Sequence, residues 1–422
     1  MSTTELRIPP TGRSGRTGTS TARATGGALL LAGIVLIALN MRAGLSSVSP
    51  LVGELREVFH LSATTGSLIT AIPVLFLGLI SPLAPIAARR YGTETVLLGA
   101  LVVVGVGILL RVIPDLTALF AGGALVGAGI AVLNVLMPGV VKREFPHRAA
   151  AMIGVYSAAM VFGAAVSAGA TVPLEKAIGH GWQPALGVWA LLAFAAVAVW
   201  LPHVRRRRGS VAAAMPHVPG LWRSPLAWLV TGFMGLQSLL FYVLLAWMPT
   251  ILTDNGMGKG TAATIFAFNT FVQIPASLAG SIIAGRMRNQ SPLVIASIGL
   301  VAAGYVGLMV APTGGAWLWA VLLGLGQGGA VSLALTLIVL RSPDPNTAAQ
   351  LSGMAQAVGY VLAAFGPLAA GALRQATDGW TVPIVLMLVL CVCALACGVG
   401  ASRPMHVRVA REVVPGDRAP VG

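Results

Sequence analysis

Polar residues are sparse along most of this chain, and where they gather they cut it into long apolar runs. A helix that crosses a bilayer needs roughly 20 mostly apolar residues. Twelve runs meet that need, at about 27–48, 63–87, 94–113, 117–141, 149–173, 184–201, 225–248, 261–284, 292–311, 317–340, 347–372 and 382–401. Stretches such as Val96–Leu110 and Ala316–Leu325 are continuously apolar, whereas strands of a membrane barrel alternate in polarity over about ten residues. The pattern predicts an all-α membrane protein with 12 transmembrane helices.

Composition agrees with lipid as the main solvent: of 422 residues, 56% are hydrophobic and only 9% charged, too few for the surface of a soluble domain of this size. The net charge of +15 raises the question of nucleic acid. Its distribution answers it, because 21 of the 27 lysines and arginines fall in the segments on one side of the predicted spans. This bias marks the cytoplasmic side. It predicts a multi-pass protein of the cytoplasmic (inner) membrane with both termini in the cytoplasm, and no nucleic-acid partner. Cys391, Cys393 and Cys397 lie together in the last span without metal-ligand partners.

The domain plan follows from the same pattern. Residues 1–25, rich in Thr, Gly, Ser and Arg, predict a disordered cytoplasmic tail without the apolar core of a signal sequence. Residues 26–202 form an N-terminal six-helix half, 203–224 a cytoplasmic linker, 225–402 a C-terminal six-helix half and 403–422 a second cytoplasmic tail. The run Arg205–Arg208 in the linker suits anionic headgroups of the lipid bilayer. At an offset of 199 residues, spans 4 and 5 align with spans 10 and 11: Gly127 with Gly326, Gly129 with Gly328, Lys142 with Arg341, Pro146 with Pro345 and Gly154 with Gly353. Two pseudo-symmetric halves in the same orientation are the plan of parallel-repeat transporters, whose site lies near the midplane.

An ionisable group inside a span is costly and marks function by default. Arg42 is the charged residue that lies well inside a predicted span, with Ser46 and Ser49 on its helical face. Its planar fork of donors suits a small oxyanion or carboxylate; the competing reading has it reach outward to Glu54 or Glu57. Uncharged polar groups recur along other spans: Asn40, Asn134, Gln237, the pair Asn269 and Gln273, Gln327, and Ser352, Gln356 and Tyr360 at four-residue steps. Each needs a hydrogen-bond partner away from water. Tyr156, Phe241 and Tyr242 are candidate aromatic walls. No Asp, Glu or His lies near the middle of a span, so a buried proton relay is not supported; Glu54 is the candidate coupling group, at the outer mouth. The sequence holds no phosphate-binding loop, catalytic cluster or metal-ligand spacing, which predicts a gradient-driven protein without cofactor, metal or enzyme activity.

Five groups of segments stand out: Leu39-Asn40-Met41-Arg42, Ala87-Ala88-Arg89-Arg90-Tyr91-Gly92, Asn134-Val135-Leu136-Met137-Pro138 with Val141-Lys142-Arg143, Leu239-Leu240-Phe241-Tyr242 with Ala246-Trp247-Met248-Pro249-Thr250, and Gly324-Leu325-Gly326-Gln327-Gly328-Gly329. Together they resemble the cyanate and 2-nitroimidazole transporter family of the major facilitator superfamily. The resemblance runs from the first span to the last. It implies the major facilitator fold, a gating loop at Arg89, Arg90 and Gly92, a monomer, and secondary transport of a small-molecule solute, with cyanate the family's named anion. The superfamily's loop between spans 2 and 3 carries an acidic residue where this chain has Arg89, with Thr93-Glu94 after the glycine. The expectation is a carrier with alternating access in which spans 1, 4, 7 and 10 enclose a cavity and Arg42, Asn134, Gln237 and Gln327 contact the solute. The rival readings are transport of neutral or nitro-aromatic compounds, and a sensor that binds a solute without moving it.

Overall fold

The computed structural model describes residues 18–179, 181–207, 218 and 220–407. Much of the tail expected over 1–25, of the linker over 203–224 and of the tail over 403–422 lies outside the described residues. Every long apolar run is helical and no strand occurs among the described residues. The first half comprises α1 (Gly18–Ser46), α2 (Val52–Val58), α3 (Ala63–Ile80), α4 (Leu83–Tyr91), α5 (Thr93–Leu110), α6 (Leu116–Glu144), α7 (Ala149–Ile178) and α8 (Trp182–Arg207). The second comprises α9 (Pro225–Asp254), α10 (Lys259–Arg286), α11 (Ser291–Val310), α12 (Ala316–Arg341), α13 (Pro345–Thr377) and α14 (Thr381–Ala401).

Eleven of these helices are long and apolar enough to span a membrane, and the bent pair α3–α4 makes up to 12. The second span, expected as one helix over 63–87, is therefore broken, with a bend of 58°. Pro82 explains the break, since it has no N–H and its ring crowds the preceding turn. Ser81 Oγ donates to the Leu77 carbonyl at 2.6 Å, satisfying one group near the break. Pro50 similarly sits in a 3-10 turn just past α1, so Ser49 leaves the helical face it was expected to share with Arg42.

Loop chemistry sets the other ends. Asp115 caps α6 by accepting from Ala118 N at 2.8 Å, and Asp344 caps α13 by accepting from Thr347 N at 2.9 Å, with Pro345 at the first helical position. Gly92 joins α4 to α5 at φ +83°, which an L side chain rarely adopts. Within each half the helices pack closely on glycine: a Cβ on Gly127 of α6 would collide with the Pro73 carbonyl of α3, and one on Gly328 of α12 with that of Gln273 in α10.

α1 to α8 form one half and α9 to α14 the other. The halves meet chiefly through α7 with α10 and α12, and α3 and α6 with α13. Close approaches concentrate toward the face at which α1 begins and α14 ends, here called the terminal face. There Gly139 packs on Pro345, Gly154 on Leu278, Gly285 on Ala150 and Gly353 on Pro85. On the opposite face, α2 is held in a separate apolar cluster of Val48, Leu51, Leu55, Leu119 and Trp182.

Candidate functional site

Between the halves lies a cavity, walled by α1, α6 and α7 on one side and α9, α10, α12 and α13 on the other. Arg42 is the charged residue in its lining. The Arg42 guanidinium stands over the Phe241 ring, 5.2 Å from Cζ to the centroid, an arrangement in which the ring quadrupole stabilises the cation. Phe241 meets Tyr242 edge-on at 5.4 Å, and Tyr242 meets Tyr360 at 6.5 Å. A single guanidinium thus faces a wall of three aromatic rings.

Asn134, Gln237, Gln273, Ser157, Ser238 and Thr270 supply the polar remainder of the wall. Asn134 Oδ1 accepts from Tyr156 O–H at 3.4 Å. Gln237 Nε2 donates to Ser238 Oγ at 2.8 Å and to the Met234 carbonyl at 3.1 Å. Gln273 Nε2 donates to Asn269 Oδ1 at 3.1 Å, and Asn269 Nδ2 donates to the Ala320 carbonyl at 2.9 Å. Asn269 therefore ties α10 to α12 and orients Gln273, but is not in the cavity lining.

Other residues singled out in the sequence stand elsewhere. Asn40 is buried and donates to the Leu36 and Leu192 carbonyls at 2.8 and 3.0 Å, bridging α1 to α8. Ser46 closes α1, outside the lining. Gln327 is buried with its Nε2 lacking a protein partner, and Gln356 is buried in α13 with Nε2 on the Asn134 carbonyl at 2.9 Å; neither is in the lining. Glu54 lies in α2, beyond the end of α1, beside Glu175. Burial first, then the carboxyls of Glu175 and Glu57, push its pKa up to about 7. Arg89 and Arg90 end α4, with Arg90 over the Tyr91 ring at 5.3 Å, and Gly92 makes the turn into α5.

The model of the Major Facilitator Superfamily matches residues 30–367 of this sequence. The chain belongs to that superfamily. Its similarity extends along curated members: it is 38% identical to the uncharacterized transporter YycB of Bacillus subtilis over 90% of this chain and 94% of that protein. It is 37% identical to the 2-nitroimidazole transporter of Escherichia coli over 90% of this chain and 97% of that one. The cyanate transport protein CynX of Escherichia coli is 29% identical over 82% and 90%. These place it in the cyanate and 2-nitroimidazole group, as a secondary transporter of a small solute. Among solved structures, the proton:xylose symporter XylE superposes with a TM-score of 0.70 at 14% identity, covering 89% of this chain and 94% of that one. That likeness concerns the fold.

For this facilitator, sequence reading passed over Ser157, Ser238 and Thr270 of the cavity wall, and the setting of Arg111. Ser157 is 1% exposed, lines the cavity, and its Oγ has no protein partner. A serine in an alanine-rich helix normally bonds its own backbone, so no pattern distinguishes this one. Arg111, near the end of the third predicted span, is buried at the end of α5, where Nη1 donates to the Gly44 carbonyl at 2.7 Å. A cation at the C-terminal end of α1 offsets its helix dipole.

Proposed function

We propose that this carrier moves a small planar anion, of which cyanate is the simplest example, by alternating access, with Arg42 as the group that binds the charge. The observation that carries the reading is Arg42 itself: a guanidinium in the cavity between the halves, stacked on Phe241, with no carboxylate in the surrounding wall. Asn134, Gln237 and Gln273 on the same wall are the polar contacts that would orient the solute, with Tyr242 against its face. One positive charge among neutral groups binds an anion without holding it too firmly to release. The cyanate transport protein among the relatives supports the choice of anion.

The bias of basic residues toward the terminal face supports placing that face and both termini in the cytoplasm, with the bundle in the inner membrane. On this reading the carrier acts as a monomer, draws on a solute or ion gradient, and catalyses no chemical step.

A second reading, transport of neutral planar nitro-aromatics, is favoured by the rings of Phe241, Tyr242 and Tyr360 and by the relative named for 2-nitroimidazole. Uptake into proteoliposomes separates the two. With labelled cyanate, Arg42→Gln should reduce uptake at least about tenfold, as expected for loss of a hydrogen-bonded charge; retention of wild-type uptake would reject the anion role. If 2-nitroimidazole moves and cyanate does not, the second reading replaces the first.

A further inference from the structure

Pro138 lies inside α6, one helical turn beyond Asn134. A helical carbonyl at position i is met by the N–H at i+4, and proline has none. The Asn134 carbonyl is therefore left without its intrahelical partner while being buried, a condition that costs free energy unless another donor arrives. The donor comes from the other half of the molecule: Gln356 Nε2 in α13 reaches that carbonyl at 2.9 Å, and also donates to Ser352 Oγ at 2.8 Å. Gln356 is fully buried.

Asn134, Pro138 and Lys142 follow one another at four-residue steps and share one face of α6. At the cavity end, the Asn134 side chain lines the wall. At the terminal end, Lys142 Nζ donates to the Val339 and Ser342 carbonyls at 2.7 and 2.6 Å, capping α12 of the other half. Between them, Gly139 lets α6 approach the Pro345 carbonyl. The same face thus contacts solute space at one end and the closed seam between the halves along the rest.

We propose that the Asn134 carbonyl, released by Pro138 and held by Gln356, is the latch that closes the floor of the cavity and must break when the terminal side opens. The inference rests on the reading of the protein as an alternating-access carrier. The proline makes the carbonyl suitable for this: no bond within α6 is lost when Gln356 withdraws, and water entering the opened floor can take its place. The latch is single. At the offset of 199 residues, Leu333 and Leu337 replace Asn134 and Pro138, and Ser157 matches Gln356. The second half therefore has no equivalent carbonyl to offer.

Hydrogen–deuterium exchange of the full-length protein in nanodiscs, without solute, tests the latch in a cycle of Gln356→Met, Pro138→Ala and the double variant. Gln356→Met should speed exchange about fivefold, the worth of an ordinary hydrogen bond, at the terminal-side ends of α6, α7, α10 and α13, leaving the opposite ends of α5 and α6 unchanged. Pro138→Ala restores an N–H that competes for the carbonyl, so it should act in the same direction, and removing a proline from a helix does not endanger folding. Because both changes act on one bond, the double variant should exchange no faster than the faster single variant. Additive effects, unchanged exchange in Gln356→Met, or faster exchange throughout the protein would overturn the proposal. No solute is present, so failure of the anion reading would leave the result of this cycle untouched.

Discussion

The Arg42 guanidinium lies over the ring of Phe241, and the two residues occupy matching places in the halves: the offset of 199 that pairs Pro50 with Pro249 also pairs Arg42 with Phe241. The pseudo-symmetry is broken at the point where charge is needed. One half supplies the cation and the other its π face, so the contact spans the seam that must move. Phe241→Leu keeps the apolar bulk and removes the quadrupole. A contact of this kind is worth about 0.5–2 kcal/mol, so anion affinity should fall about two- to thirtyfold, read as a higher half-saturating concentration in proteoliposome uptake. Unchanged affinity would confine Phe241 to packing.

Asn40 provides the opposite case, a polar residue in the same helix that faces protein. Its amide joins α1 to α8 through the Leu192 carbonyl. Asn40→Leu should lower stability by about 1 kcal/mol, visible as a lower Tm in detergent, while the half-saturating concentration for uptake stays at the wild-type value. A changed half-saturation with unchanged Tm would put Asn40 in the site.

Glu54 and Glu175 give a pH signature. With a folded-state pKa raised from 4.5 to about 7, Glu54 holds its proton more tightly in the native protein than in the unfolded chain. Its contribution to stability is full below pH 4.5 and is lost as pH rises through about 7, where a second negative charge forms beside Glu175. Thermal unfolding in nanodiscs should show Tm falling across that window, and Glu54→Gln, which mimics the protonated form, should flatten the decline. Equal slopes in both proteins would remove Glu54 as the titrating group.

Lys142 and Arg341 match in the repeat but should respond differently to mutation. Lys142 caps α12 across the seam. Arg341 stays within its own half, donating to the Ala401 and Ser402 carbonyls at the end of α14 and to Gln290. Lys142→Met should raise hydrogen exchange at the terminal face with little loss of Tm, and Arg341→Met should lower Tm by loosening α12 from α14. The same response from both would mean that the seam and the half are equally rigid.

The spans and their two halves could be read from the sequence because a bilayer imposes a coarse rule that acts on every residue alike: about 20 apolar residues, with basic residues gathered between spans on one side. The break in the second span was harder to foresee. Pro73, Pro138 and Pro249 all sit inside continuous helices, while Pro82 ends one; proline removes a hydrogen bond wherever it occurs, and neighbouring helices decide whether the chain bends.

The candidate site divides along the same line. The sequence alone determined that Arg42 and a handful of amides would lie within lipid-spanning helices, where each is an expensive residue in an apolar run. It could not assign their partners. Arg42, Asn134, Gln237, Tyr242 and Gln273 stand on the cavity wall, whereas Asn40, Asn269, Gln327 and Gln356 stand inside helix packing and Ser157 joins the wall unannounced. A buried amide must be satisfied, but a carbonyl on the next helix and a solute in a cavity satisfy it equally well. Which of the two it meets depends on how the helices are rotated and on which half lies opposite, and only the tertiary structure decides that.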